Sequence, residues 1–208
     1  MSRFFTEPEN ISDKYIYITD ADDIHHIKKV LRLKPGDTVE ISDGQKWEYE
    51  GAIEEITAIE VTLRITDKQS FAREPETRVT LFQGIPKAGK MDLIVQKCVE
   101  LGIDSIVPVF MERTVVNDNG KIGKKTERWQ KISDEACKQC RRGIVPGIAD
   151  AVNHSEMMNM LKDFDLVLFP YENETGRTIK DALRNLKDKP ETVAIVIGPE
   201  GGFSDSEA

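Results

Sequence analysis

The chain has 208 residues, 39% of them apolar and 32% charged, with a formal net charge of −8. That length is beyond a disulfide- or metal-stapled mini-domain and suits one or two domains, each with its own core. The longest apolar runs, such as Ala194-Ile195-Val196-Ile197, fall far short of the ~20 residues of a transmembrane helix, and the opening residues lack a signal-peptide stretch. Three cysteines cannot build a disulfide framework, so the expectation is a soluble protein of a reducing cytoplasm.

The charge is unevenly spread. Residues 1–110 carry a balance of −6, residues 111–142 one of +4, and residues 143–208 one of −6. A basic segment in an acidic chain reads either as a phosphate footprint or as a solvated helix face, and charge alone does not separate the two.

In chain order, residues 15–18, 38–41, 47–56 and 59–65 alternate β-branched or aromatic residues with charged ones, the period of half-buried antiparallel strands. Lys34-Pro35-Gly36-Asp37 and Ser42-Asp43-Gly44-Gln45 supply turns between them. One helix interrupts, capped by Asp20, with Ile24, Ile27, Val30 and Leu31 on one face. Strands, one helix and tight turns within ~65 residues predict a small β-barrel. Residues 68–77 read as a polar linker, giving domains at 1–70 and 71–208.

Beyond the linker the rhythm becomes strand and helix. Strands are predicted at 79–82, 106–110, 166–169 and 193–197, and helices at 91–101, 126–141 and 178–186. Continuous apolar strands alternating with helices predict a parallel sheet covered on both faces, an α/β fold whose ligands sit beyond the strands' carboxyl ends. The loops at that edge are Gln83-Gly84-Ile85-Pro86-Lys87-Ala88-Gly89-Lys90, Glu112-Arg113-Thr114, Phe169-Pro170-Tyr171-Glu172 and Gly198-Pro199-Glu200-Gly201-Gly202-Phe203-Ser204. Three glycines and a proline in the last fix a tight path and leave bare backbone for a flat ligand, or form a generic turn. No Gly-x-x-x-x-Gly-Lys-Ser/Thr and no Gly-x-Gly-x-x-Gly after the first strand is present, which argues against a P-loop nucleotidase and a Rossmann dinucleotide fold.

Gly84-Ile85-Pro86-Lys87, Met91-Asp92-Leu93-Ile94-Val95-Gln96-Lys97, Glu100-Leu101-Gly102, Glu112-Arg113-Thr114-Val115-Val116, Arg128-Trp129-Gln130-Lys131-Ile132 and the run from Ile197 to Ser204 resemble the ribosomal RNA small subunit methyltransferase E family, of the SPOUT class. His25-His26-Ile27-Lys28-Lys29-Val30-Leu31-Arg32 with Gly36-Asp37 resembles its PUA-like RNA-binding barrel. The resemblance implies a PUA-like β-barrel followed by a knotted α/β domain, a homodimer, and S-adenosylmethionine-dependent methylation of uridine N3 in 16S rRNA of the small ribosomal subunit. It implies that Phe169, Pro170, Tyr171, Glu172, Ile197, Gly198, Pro199, Glu200, Gly201 and Gly202 line the donor pocket. Arg113, Glu172 and Glu200 are the catalytic candidates: Arg113 to stabilise the developing N3 anion, either carboxylate to take the proton. Arg3, Lys87, Lys90, Arg113, Lys138, Arg141 and Arg142 are the expected RNA contacts.

Two features depart from the family's pattern. Ala88-Gly89 stands where the family usually has an acidic residue. Ser204-Asp205-Ser206-Glu207 forms a capping box, yet the sequence stops at Ala208, where the family continues through a strand, a loop closing over the donor and an interface helix. The expectation is a C-terminally truncated domain with an incomplete knot. Cys137 and Cys140 have ligand spacing, but with only Cys98 besides they read as packing or surface residues, and no metal is expected. His25 and His26 read as structural or RNA-facing, and Trp47 and Trp129 as core or rim aromatics, with Trp47 placed to stack a base. The rival readings are a non-catalytic RNA-binding protein and a SPOUT enzyme acting on tRNA.

Overall fold

A computed structural model of the chain describes residues 2–71, 74–87, 89–115, 120–176 and 178–208. Its contacts divide it into two units, Met1–Glu74 with Cys137–Val145, and Pro75–Ala136 with Pro146–Ala208.

The first unit holds β1 (Arg3–Phe5), β2 (Tyr15–Ile18), β3 (Thr38–Ser42), β4 (Trp47–Ile56) and β5 (Val61–Ser70), in the order β1-β3-β4-β5-β2. All neighbours run antiparallel except β1 and β3. The sheet curls until its edges approach, where the Thr6 hydroxyl donates to the Tyr17 carbonyl at 3.2 Å. Inward residues of alternate strand positions (Ile16, Ile18, Val39, Ile41, Ile53, Val61, Leu63) form the core, closed by Phe4, Ile24 and Ile27. Helix α1 (Ala21–His25) starts at Asp20, whose carboxylate accepts from the Asp23 amide at 2.9 Å, and continues as a π-turn over His26–Val30. β5 outruns its apolar pattern: Lys68 to Ser70 pair with β4 although their side chains are exposed, so those residues are strand and not linker.

Residues 137–145 pack into this unit, which a linear division of the sequence does not foresee. The Arg3 guanidinium donates to the Arg141 and Arg142 carbonyls, each at 2.7 Å, and the Ser42 hydroxyl to the Gly143 carbonyl at 2.5 Å. Glu74 binds Arg142 and accepts from the Gly143 and Ile144 amides.

The second unit is a parallel sheet of β6 (Arg78–Gly84), β7 (Ser105–Phe110), β8 (Gly147–Ile148), β10 (Leu166–Leu168) and β11 (Thr192–Ile197), ordered β10-β11-β6-β7-β8, with β9 (Val152–Asn153) also on β7. Helices are α2 (Lys90–Leu101), α3 (Ile122–Cys140, whose end belongs to the first unit), α4 (His154–Met160) and α5 (Ile179–Arg184). α2 stops at Gly102 (φ 96°), and α3 stops before Arg141, a non-glycine residue at φ 59°. α3 begins four residues before its apolar pattern, and α4, unforeseen, starts on a capping box of Asn153 and Glu156. Phe82, Val107, Val109, Ala194 and Val196 interlock with Met157 and Leu161 over the sheet.

Candidate functional site

The loops after β6, β7, β10 and β11 lie along one edge of the second unit, because those strands are adjacent and parallel. The loop after β11 is the most constrained. Gly202 has φ +67° and its amide donates to the Pro199 carbonyl at 2.9 Å, closing a four-residue turn. The positive φ of Gly202 is what favours glycine there; a Cβ would sit 2.8 Å from a Glu172 carboxylate oxygen, the movable end of a flexible side chain. Phe203, 3% exposed, anchors the turn: its ring lies 4.3 Å from that of Phe169, with the edge of Tyr171 at 6.5 Å. Ile197 remains 36% exposed at the strand's end, an apolar surface beside the turn.

The turn is tied to its neighbours on both sides. Gln83 is 4% exposed, and its amide donates to the Gly84 carbonyl at 2.9 Å and the Gly198 carbonyl at 3.3 Å, bridging β6 and β11. The Glu200 carboxylate accepts from the Lys87 amide, 3.1 Å to each oxygen, and from the Lys90 ammonium at 2.8 Å. The Lys90 hydrogen bond, then the backbone amides of Glu200 and Lys87, pull its carboxyl down to about 2. Through these contacts Glu200 fastens the loop after β6 to the loop after β11.

Arg113 donates from Nη1 to the Gly201 carbonyl at 2.8 Å. It makes no ion pair among the described residues, and Glu100 pairs instead with Lys97 at 2.8 Å. The Glu112 carboxyl is lowered chiefly by the Ser204 and Ser206 hydroxyls, with the Arg113 charge a lesser cause. The Glu112 amide donates to Glu207 at 2.7 Å, while Glu207 also accepts from the Ser204 amide at 3.0 Å, so the capping box doubles as a tie to the β7 loop. The edge therefore combines a glycine turn, an aromatic wall of Phe169, Tyr171 and Phe203, and a rim bearing Lys87, Lys90 and Arg113. Sequence reasoning brought together Phe169, Tyr171, Glu172, Gly198 to Gly202, Lys87, Lys90 and Arg113. Gln83 and Phe203 stood within those loops but were given no role of their own. Ala88 and Val116, part of the motifs above, lie outside the described residues.

The expected RNA contacts fare differently. Arg3 and Arg142 have side chains only 3% and 8% exposed and are bound to Glu48 and Glu74, each at 2.7 Å. Around Arg3, Glu40, Glu48, Glu50 and Asp67 line one pocket, a field that repels phosphate. Arg3 and Arg142 are thus internal counter-ions of the first unit. Lys138 pairs with Asp23 at 2.7 Å, and Arg141 lies 3.9 Å from Glu40, so the basic stretch is neutralised at this end. In the second unit Arg128 pairs with Asp92. Cys137 is buried and donates to the Ile144 carbonyl at 3.3 Å, and burial pushes its thiol up to about 12. Trp129 is buried in the second unit. The Trp47 ring in the first unit is covered by the Lys68 ammonium at 4.5 Å and Lys46 at 5.2 Å.

Comparison with known proteins gives a consistent answer. The RNA methyltransferase domain family matches residues 73–208, and the RNA methyltransferase PUA domain family residues 18–66. The Bacillus subtilis ribosomal RNA small subunit methyltransferase E is 29% identical over 213 residues, covering 100% of this chain and 83% of the relative. Its counterpart from Buchnera aphidicola (subspecies Schizaphis graminum) is 34% identical over 187 residues, covering 86% and 72%. The crystal structure of the Neisseria gonorrhoeae ribosomal RNA small subunit methyltransferase E bound to S-adenosyl methionine superposes with a TM-score of 0.83 at 25% identity, covering 100% of this chain and 83% of that one.

Proposed function

We propose the function on the premise that this chain belongs to the ribosomal RNA small subunit methyltransferase E family, with a PUA-like first unit and a SPOUT-type α/β second unit. It is an S-adenosylmethionine-dependent methyltransferase of small-subunit ribosomal RNA, and we assign N3 of a uridine as the methylated atom. The observation that carries the reading is the Pro199–Gly202 turn, whose backbone is kept bare by glycine and which is fastened to three neighbouring loops.

The residues present fit the donor. A flat base can lie on the bare turn and the exposed Ile197, and the polar end can meet the backbone of the Phe169–Glu172 loop. When bound, the donor supplies an electrophilic methyl group on a sulfonium centre. The chain's own residues do the remainder. N3 of uridine must shed its proton to attack, and the uracil then carries negative charge. The Arg113 guanidinium, with one N–H spent on Gly201 and no carboxylate partner among the described residues, keeps planar donors for a uracil carbonyl. With Glu200 engaged by Lys87 and Lys90, Glu172 is assigned as the proton acceptor. Lys87 faces the nucleotide, and Lys90 orders the loop that carries it.

We further propose a homodimer, supported by the family resemblance and by Leu93 and Leu101 on α2, 58% and 84% exposed. Action in the cytoplasm suits the substrate, and no described helix is long and apolar enough to cross a membrane. The test is methyl transfer to small-subunit ribosomal RNA from cells lacking the gene, followed by mass spectrometry of the nucleosides. A new N3-methyluridine is the expected product; methylation at another atom, or of transfer RNA alone, overturns the assignment.

A further inference from the structure

Parallel strands β6 and β11 stay in register from Arg78 with Thr192 to Gln83 with Ile197, and there the ladder stops. The next residues cannot extend it. Gly84 ends β6 against Pro199, and a proline has no amide hydrogen to give a neighbouring strand. Gly84 and Pro199 are both buried, so backbone carbonyls at this junction need donors from elsewhere.

Gln83 supplies them from a side chain. Its amide nitrogen carries two hydrogens, and it donates to the Gly84 carbonyl at 2.9 Å and to the Gly198 carbonyl at 3.3 Å. The residue is 4% exposed, which shields both bonds from solvent. The other polar tie of the turn differs in setting. Glu200 and Lys90 pair with side chains 30% and 61% exposed, where water and salt screen the attraction. Phe203 anchors the far end of the turn. Gln83 therefore grips the near end, where exposed Ile197 runs into the Gly198-Pro199 backbone.

We propose that Gln83 is a positioning residue for methyl transfer. By holding the Gly198 carbonyl it fixes Ile197–Pro199 at the sheet edge, and so sets the affinity for S-adenosylmethionine without touching the reacting atoms. This role rests on the donor site proposed above. A flat base lies best on backbone already in place; a loose turn must first be ordered, and the ordering is subtracted from the affinity. Once the donor saturates the site the turn is in place again, so the chemical step and the RNA contacts are unaffected.

The test uses the whole chain. Gln83→Met keeps an unbranched side chain of similar length and removes both donors. Calorimetry should show donor affinity reduced at least ~10-fold. The KM for the donor should rise in parallel, while turnover at saturating donor and the KM for small-subunit ribosomal RNA stay within ~3-fold of wild type. Thr80→Val is the control. It breaks the 2.8 Å hydroxyl bond to Ser105, which bridges β6 to β7 toward the opposite end of β6, and should lower the melting temperature without changing donor affinity. Wild-type donor affinity in Gln83→Met, or an equal loss in Thr80→Val, overturns the proposal. A second measurement needs no variant and decides alone if Gln83→Met does not fold. In the NMR spectrum of the wild type, the Gln83 side-chain amide signals shift when donor is added, whereas those of Gln130, bound to Asp134 and Pro146, stay put. Unmoved Gln83 signals in a protein that binds donor overturn the role of Gln83 only. A wild type that takes up no donor overturns the donor site and this role with it.

Discussion

Gly84 and Pro199 meet at the ends of β6 and β11 with no room for another atom. A Cβ on Gly84 would lie 2.6 Å from both the nitrogen and the Cδ of Pro199, and 2.9 Å from the Gly198 carbonyl carbon. The neighbour is backbone and ring, so it cannot rotate away. Gly84→Ala is therefore expected to push the turn off the sheet edge, destabilising the protein by about 1–3 kcal/mol and weakening S-adenosylmethionine binding. Denaturant unfolding and calorimetric titration of the donor check both; an alanine variant with unchanged donor affinity would show that the turn tolerates the shift.

Glu200 makes a pH-dependent fastening. Its carboxyl falls from an ordinary 4.5 to about 2 in the folded chain. A lowered folded value means that the unfolded chain binds the proton more tightly, so the stabilisation is fully present above about 4.5 and disappears as pH falls through about 2. The stability difference between wild type and Glu200→Gln should stay constant from neutrality to pH ~5 and shrink below it. Chemical denaturation at a series of pH values measures it. A difference that instead changes between pH 6 and 8 would assign the titration to another group.

Arg3 and Arg142 were legible as cations but not as buried ones. Arg142 lies 139 positions beyond Arg3, yet the Arg3 guanidinium binds the carbonyls of Arg141 and Arg142 just past the end of α3. Arg3→Ala should leave the Glu48 carboxylate and the Arg141 and Arg142 carbonyls without their donor. Removing one partner of a buried pair costs about 3–5 kcal/mol. Arg3→Met, which fills the space without a donor, should recover little of this. Thermal unfolding compares them, and a loss within 1 kcal/mol for Arg3→Ala would show that water satisfies the site.

The same contrast explains how far the sequence could be read. Periodicity gave the strands with one buried face, such as Thr38–Ser42, and the continuous apolar run within Thr192–Ile197, where Val193, Ala194 and Val196 are buried, because burial leaves its mark on every second residue or on a run of them. It was blind to Arg3–Phe5, Gly147–Ile148 and Val152–Asn153, of two or three residues, too short for any period to register. Glycine and proline made the Pro199–Gly202 turn visible, since a tight path needs those residues whatever surrounds it. The ties that hold it were not visible: Gln83 reaches Gly198 across 115 positions, and Glu200 reaches Lys87 across 113. Net charge misled in a particular way. The +4 window counted Lys138, Arg141 and Arg142 as free, whereas Asp23, Glu40 and Glu74, far upstream, neutralise them.

Arg113 is the residue on which the catalytic reading turns. It follows β7 at the ligand-bearing edge, spends one N–H on the Gly201 carbonyl at 2.8 Å, and packs its Cβ 3.2 Å from where a Gly201 side chain would begin. The alternative role is structural: the hydrogen bond braces the turn, and among the described residues Arg113 joins no carboxylate. If the remaining donors stabilise the uracil anion, their help is greater in the transition state than in the bound ground state. Arg113→Lys keeps the charge and loses the planar fork. Turnover should then fall tenfold or more, ~1.4 kcal/mol or above, with donor affinity little changed. A brace predicts the opposite division: a lower melting temperature, weaker donor binding and normal turnover at saturating donor. Single-turnover methylation of small-subunit ribosomal RNA beside a thermal melt separates the two, and normal turnover with a lowered melt would remove Arg113 from the chemistry.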